Sequence, residues 1–349
     1  MPQHPTPATA GSMPSRHAGS PGSGGHDGFG LGAALGPQLR ELCDGRLGEI
    51  EWFRSTWQRG GASTGFATWT RSDGMAIPVL VKIPVGAVEY SWTVRLGAVD
   101  ADEWDLPTSR TLSTPRVIAA GETLGGHDIA WLVLERLDGP TLGAQLNQKA
   151  LDDLLDAAVD FHARAERQQP VDRPAPTTDW AKAIHKSREL APDCGLPDPQ
   201  RWKDVLRKLE KGLAPIVSQW ERRATSTWCH GDLHPGNAMY RVSPGGERTC
   251  VLIDLGLVHP GHWIEDGVYL ERQYWGHSEM LCGVKPVSCL AKRRRDRGLY
   301  VCDDYPELAN TRRVLMAACV PLQLGREGNI KYVRGALETL ERLLPQVLR

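Results

Sequence analysis

The run His230-Gly231-Asp232-Leu233-His234-Pro235-Gly236-Asn237 sets an acid and an amide five residues apart, in a stretch full of Gly and Pro. Soon after, Val251-Leu252-Ile253-Asp254-Leu255-Gly256 is a short apolar run that ends in a second acid. Residues 238–242 and 249–253 read as strands, joined by Ser243-Pro244-Gly245-Gly246-Glu247, so the spacing predicts a hairpin. Asn237 enters one arm and Asp254 leaves the other, which brings three oxygen-bearing side chains to one end of it. Asp254 follows a core-like strand, and a buried carboxylate is costly unless something neutralises it. Mg²⁺ would do so, since it takes hard oxygen ligands and keeps positions for waters and phosphates. Asn237 offers a second oxygen, and Asp232 is left to accept a proton from an attacking hydroxyl. A base and two metal ligands are the parts needed for phosphoryl transfer.

Such a hairpin needs a scaffold on both sides. Upstream, residues 50–60, 66–71 and 75–84 read as strands, with Gly60-Gly61-Ala62-Ser63-Thr64-Gly65 as a small-residue turn and Ser72-Asp73-Gly74 as a hairpin turn. The third of these strands carries Lys82. A helix holding Glu89, Trp92 and Leu96 should follow. Residues 115–118 and 130–134 read as two more strands, which makes a five-stranded antiparallel unit with one helix. After Pro140 the texture turns helical. Leu151, Leu154, Leu155, Ala158 and Phe161 recur at helical spacing, as do Trp202, Val205, Leu206, Leu209 and Leu213, and then Ile330, Val333, Leu337, Leu340 and Leu344. Pro215 should kink or end the second of these helices. Residues 168–179, with three Pro, read as a surface loop.

The spacing Asp232-x4-Asn237 with Leu252-Ile253-Asp254-Leu255-Gly256 resembles the aminoglycoside phosphotransferase family, a branch of the protein-kinase-like fold that also holds choline kinases and other small-molecule kinases. The likeness spans roughly residues 45–345 and is sharp over 228–271. It implies Asp232 as catalytic base, Asn237 and Asp254 as Mg²⁺ ligands, His230 as a brace of the loop, and Asp266 as the helix-start acid that bonds the loop backbone. It also implies that Lys82 holds the nucleotide phosphates with Glu89 as its helix partner, Glu103 being the rival for that place. Gly61, Ser63 and Gly65 would cover the phosphates, and the backbone at Glu135 and Leu137 would meet adenine. Gly261-His262-Trp263 stands where the family commonly has Gly-Asp-Pro.

The expected architecture is therefore α+β and bilobal: a low-complexity tail over 1–30, a nucleotide-binding sheet lobe over 31–137, and a mainly helical lobe over 138–349 with the catalytic loop, the metal site and the acceptor-binding helices. The tail is rich in Pro, Gly and Ser and cannot bury enough surface to order itself. The expected cofactors are ATP and Mg²⁺, and the expected partner is a small-molecule hydroxyl compound. A choline-like, amino-alcohol or sugar acceptor, or a silent nucleotide-binding regulator, are the alternatives. A cationic antibiotic would want acids such as Glu265, Glu271, Asp303, Asp304 and Glu307; a choline-like amine would want the aromatics Trp263, Tyr269, Tyr274 and Trp275. At least two of those aromatics should be core. A formal net charge of -1 gives no field to draw the chain to nucleic acid or membrane. The run Lys292-Arg293-Arg294-Arg295-Asp296-Arg297 reads as a solvated helix face. No apolar stretch reaches the length of a membrane span. The eight Cys form no CxxC pair and read as reduced thiols of a cytoplasmic protein.

Overall fold

The computed structural model describes residues 28–53, 62–101, 111–192, 196–324 and 329–348. Strands β1 (Glu51–Phe53), β2 (Ser63–Thr70), β3 (Ala76–Ile83), β4 (Val117–Gly121) and β5 (Trp131–Glu135) form one sheet, ordered β1-β2-β3-β5-β4, with every neighbouring pair antiparallel. The turn between β2 and β3 holds Gly74 at φ +82°, a left-handed conformation that glycine adopts without strain. Side chains of a strand alternate between faces. In β3 this sends Ile77, Val79, Val81 and Ile83 into one small core and leaves Leu80 and Lys82 on the opposite face. That opposite face is the one α2 (Ala87–Gly97) approaches, so the alternation of β3 is what aims Lys82 at Glu89.

Helix α1 (Gly28–Leu42) was not legible as a helix. Its sequence, GFGLGAALGPQLREL, carries four Gly and an internal Pro37, and intrinsic propensity disfavours both. It forms because Leu39 and the neighbouring Cys43 are buried against the sheet, so packing overrides propensity. It begins inside the last residues of the segment read as unstructured.

The remaining strands and helices build the larger lobe. Helix α3 (Gln148–Gln168) opens on Asn147, whose side chain accepts from the Ala150 N–H at 2.9 Å, an N-cap bond. Its residues Leu151, Leu154, Leu155, Ala158 and Phe161 are fully buried, as their spacing predicts. Then come α4 (Trp180–Leu190), α5 (Pro199–Lys211) and α6 (Leu213–Glu221). The break between α5 and α6 falls at Gly212. Pro215 then sits in the first turn of α6, where no backbone N–H is needed. Next come β6 (Thr227–Cys229), β7 (Ala238–Val242), β8 (Arg248–Leu252), β9 (His259–Gly261) and α7 (Ile264–Arg272). Helices α8 (Pro286–Asp296), α9 (Tyr305–Ala318), α10 (Val320–Leu324) and α11 (Ile330–Val347) complete it. β7 pairs with β8 as the predicted hairpin, and β6 pairs with β9. Among the described residues no helix is long and apolar enough to cross a membrane.

Two features join the lobes. Trp92 and Leu96 of α2 lie in the large helical core, where Trp92 meets Trp228 with ring centroids 4.6 Å apart. Glu135, at the end of β5, forms a buried ion pair with Arg241 of β7 and also accepts from the Arg116 N–H at 2.9 Å. Arg241 spends its other donors on the carbonyls of Leu112 at 2.6 Å and Thr114 at 2.9 Å. This cluster leaves no buried charge unanswered, the condition under which such a pair is tolerated.

Several boundaries depart from the sequence reading. Ser63 and Gly65 lie on β2, not in a turn. The first predicted strand is seen as Glu51–Phe53, and its remainder, with Gly61, lies outside the described residues. The basic run is only partly a solvated face. Arg294 of α8 is 2% exposed, and Arg293 bonds Asp152 at 2.6 Å and pairs with Asp156 at 3.2 Å.

Candidate active site

The loop after β6 is held from below by Asp266. This carboxylate is 1% exposed and accepts from the N–H groups of His230 at 2.8 Å and Gly231 at 2.9 Å, and it meets His162 Nε2 at 2.9 Å. On its far side His162 Nδ1 faces the Arg294 guanidinium at 3.2 Å. A guanidinium can only donate, so Nδ1 is the acceptor and Nε2 carries the proton given to Asp266. The imidazole is thus neutral, in keeping with a pKa that burial lowers. Asp266 itself is held below the ordinary carboxylate range: burial pushes its pKa up, and the bonds from His162 and the Gly231 N–H outweigh it.

Gly231 has φ +81°, and a Cβ there would lie 2.2 Å from the Leu257 carbonyl, so only glycine fits this turn. His230 is fully buried. Its Nε2 lies 3.2 Å from the Ile253 carbonyl and its Nδ1 accepts from the Asp232 N–H at 3.3 Å, so it ties the loop to the end of β8.

The Asp232 side chain stands at the loop's crest, half-buried. Asn237 Nδ2 donates to Asp232 Oδ2 at 2.9 Å and to its carbonyl at 3.1 Å. The Tyr269 hydroxyl, from α7, donates to Oδ1 at 2.5 Å, and His234 Nε2 lies 3.6 Å from the same oxygen. Burial raises the Asp232 pKa, but His234 beside it and the Tyr269 bond outweigh it and hold the carboxyl at about 2. Asp232 is therefore ionised at neutral pH and ready to accept a hydrogen bond from a hydroxyl.

Asn237 and Asp254 meet across the hairpin base, where the Ile253 N–H donates to the Asn237 carbonyl at 2.9 Å. Asp254 is in the left-handed region at φ 62°, a conformation Asp tolerates better than most residues. It is exposed, which corrects the expectation of a buried carboxylate. Exposure changes the reason a cation would bind there, and the donor set still suits a hard divalent ion. Asn237 uses its N–H groups on Asp232, which leaves Oδ1 for a metal. Asp254 has no hydrogen-bond partner among the described residues. One carboxylate and one amide oxygen suit Mg²⁺, which is commonly held by one or two protein groups with waters and phosphates. Among the described residues no group of three or more His, Cys, Asp or Glu is placed to hold a metal.

Asp254 also faces the sheet lobe, where Lys82 and Glu89 form a half-buried ion pair. Burial raises the Glu89 pKa; Lys82 opposes this and the Asp254 charge adds to it. The pair thus stands against Asp254 across the cleft between the lobes. Glu103 lies outside the described residues, so only Glu89 is seen with Lys82. Glu135 lends no side chain to the cleft, because its carboxylate is consumed by Arg241 and Arg116. Its N–H bonds the Arg116 carbonyl at 2.9 Å, and Leu137 follows just beyond β5. Ser63 is 4% exposed and packs beneath Gly32 of α1; Gly65 lies against Ile50 and Trp52, whose side chains leave no space for a Cβ. Their small size serves packing within the sheet.

A family model described as "Phosphotransferase enzyme family" matches residues 104–280, just over half of the chain. The chain belongs to this family. It is a phosphotransferase, with the α+β architecture described above. Solved structures that match it include a candidate aminoglycoside phosphotransferase from Ralstonia eutropha, 12% identical over 89% of this chain and 95% of that one, with a TM-score of 0.49. The protein APH(2")-IIia, in a GDP and kanamycin complex, is 14% identical over 91% and 99%, with a TM-score of 0.48. A choline kinase from Cryptosporidium parvum is 12% identical over 91% and 94%, with a TM-score of 0.45. No curated protein is significantly similar in sequence.

Three residues of this phosphotransferase's site escaped sequence reasoning. Tyr269 was read only as core or as an acceptor-lining aromatic, and its spacing from Asp266, one turn along α7, was the signal that it shares the loop-facing side. His162 and Arg294 gave no local signal, since His162 reaches Asp266, and Arg294 reaches His162, from elements far away in the chain. The residue at the departure from the family pattern, His262, is 3% exposed. Its N–H donates to Glu265 at 2.9 Å and burial lowers its pKa to about 4, so it is a neutral structural residue at the start of α7.

Proposed function

We propose that the chain transfers the γ-phosphoryl group of ATP to a hydroxyl of a small molecule, with Mg²⁺ as the metal. The observation that carries this reading is the ionised Asp232 carboxylate, held by Asn237 and Tyr269 beside the Asn237–Asp254 pair. Asp254 and the Asn237 amide oxygen would hold Mg²⁺, which when bound neutralises phosphate charge. Lys82, steadied by Glu89, would orient the nucleotide phosphates. The backbone around Glu135 and Leu137 would meet the base. Asp232 would align the acceptor hydroxyl and take its proton as the new P–O bond forms and the bond to the β-phosphate breaks. A carboxyl with a pKa near 2 is a weak base, so its role is chiefly orientation and charge. Asp266, His162 and His230 would fix the loop. The proposed setting is cytoplasmic, in keeping with seven free thiols among the described residues.

Replacing Asp232 with Asn tests the assignment. The variant should bind Mg-ATP with near-normal affinity by calorimetry and lose phosphoryl transfer. Unchanged turnover would remove Asp232 from the mechanism.

A further inference from the structure

The acceptor is the open element of this reading, and the side chains around Asp232 narrow it. A cationic acceptor needs free acids or open aromatic faces, and those on and beside α7, next to Asp232, are occupied. Glu271 is held by Arg313 in two bonds, at 2.7 and 3.0 Å. Glu265 is 6% exposed and surrounded by Arg223 at 3.0 Å, Arg312 at 3.6 Å and His259 at 3.9 Å. Trp263 is buried beneath Arg294 and Tyr305, and Trp275 stacks on Tyr332. The face of Tyr269 is covered by the Arg272 guanidinium, 4.8 Å from the ring centroid.

Arg272 is the exception in this crowd. Every other arginine named here has an acidic or carbonyl partner, but Arg272 has none among the described residues. It is half-buried in the last turn of α7, and its charge is felt at Tyr269, Tyr332 and the neighbouring Arg312. Tyr269 bridges it to the reaction centre: the ring lies under the guanidinium and the hydroxyl bonds Asp232 Oδ1. The free cation therefore stands one aromatic ring away from the carboxylate that would receive the acceptor hydroxyl. A half-buried guanidinium without a counter-ion is a fork of donors suited to a carboxylate or phosphate oxygen pair.

We infer that the acceptor is an anionic hydroxy compound, whose carboxylate or phosphate is bound by Arg272 while its hydroxyl lies against Asp232. This rests on Asp232 being the residue that meets the acceptor. The Tyr269 hydroxyl now holds Oδ1, so the incoming hydroxyl takes its place or shares that oxygen. A polycationic antibiotic would instead meet Arg272 with like charge and find Glu265 and Glu271 already paired.

The test is ADP formation from Mg-ATP with D-gluconate, D-glucose and D-glucosamine, a matched six-carbon series that is anionic, neutral and cationic. Gluconate should give the highest kcat/KM. Arg272→Ala should lower the gluconate-to-glucose ratio roughly 10- to 100-fold, mostly through KM, the range of one hydrogen bond to a charged group. Arg272→Lys should restore part of it. Equal or better use of glucosamine, or a ratio unmoved by Arg272→Ala, would overturn the inference. So would ADP formation with none of the three by a protein that binds Mg-ATP, while leaving the kinase reading intact. Turnover that persists in Asp232→Asn would instead count against the kinase reading.

Discussion

Asp266→Asn is the most discriminating perturbation of the loop. Three donors converge on the two oxygens of Asp266: His230 N–H and His162 Nε2 on Oδ2, and Gly231 N–H on Oδ1. An asparagine amide has one oxygen. If that oxygen keeps the Oδ2 position, its NH₂ group faces the Gly231 N–H, donor against donor. One buried donor left unsatisfied costs about 1–3 kcal/mol, and the two remaining bonds lose their charge assistance. The total comes to about 3 kcal/mol, comparable with the ~3–5 kcal/mol of a broken buried pair. Urea unfolding followed by circular dichroism should show this loss, and kcat should fall because the loop that carries Asp232 relaxes. The pH dependence supplies a second reading. The folded pKa of Asp266 lies below its unfolded value near ~3.9. Its contribution is thus complete above the unfolded value and is lost as pH falls through the lower folded value. The variant should lack that part of the acid loss of stability. Destabilisation under ~1 kcal/mol with an unaltered acid limb would refute the account of Asp266 as the loop's anchor.

Tyr269→Phe removes one bond that lowers the Asp232 pKa, so the acid limb of kcat/KM should move up by roughly 1 unit, the equivalent of ~1.4 kcal/mol; an unmoved limb would show that the phenol does not act on Asp232. Asp254→Ala should abolish the Mg²⁺ dependence of nucleotide binding, and calorimetry that finds Mg-ATP bound as tightly as before would contradict the metal assignment. Arg241→Met leaves the buried Glu135 carboxylate with only Arg116 and should cost about 3 kcal/mol in thermal or urea unfolding, whereas the double variant with Glu135→Leu should recover part of that loss.

Much of this fold was legible because period-two and period-3.6 patterns survive where one face is buried. β3 showed its alternation, and α3 and α11 showed their stripes. The hairpin of β7 and β8 was plain from its strands and its Pro-Gly-Gly turn. What was hidden had physical causes. Helix α1 is built against its own propensity by contacts with the sheet. Ser63 and Gly65 looked like a phosphate loop because small residues in a close-packed strand and in a loop have the same letters. Asp254 looked buried because its strand is, and the chain turns outward at that very residue. Arg294 was lost in a run of five basic residues, four of which do face outward or pair at the surface. Among the candidate site residues, the spacing placed Asp232, Asn237 and Asp254 together, but it gave no sight of Tyr269 or of the pairing that neutralises Glu265 and Glu271.

The seating of Trp92 and Leu96 in the helical core bears on control. A chain that idled by swinging α2 outward would break the Lys82–Glu89 pair, and would also drag both side chains out of that core. Trp92 is 1% exposed and Leu96 3%; withdrawing an indole alone costs several kcal/mol, of the order of ~3–5 by analogy with truncating it. An outward swing of α2 is therefore costly, and the Lys82–Glu89 pair is held in place by the same two side chains that join the lobes.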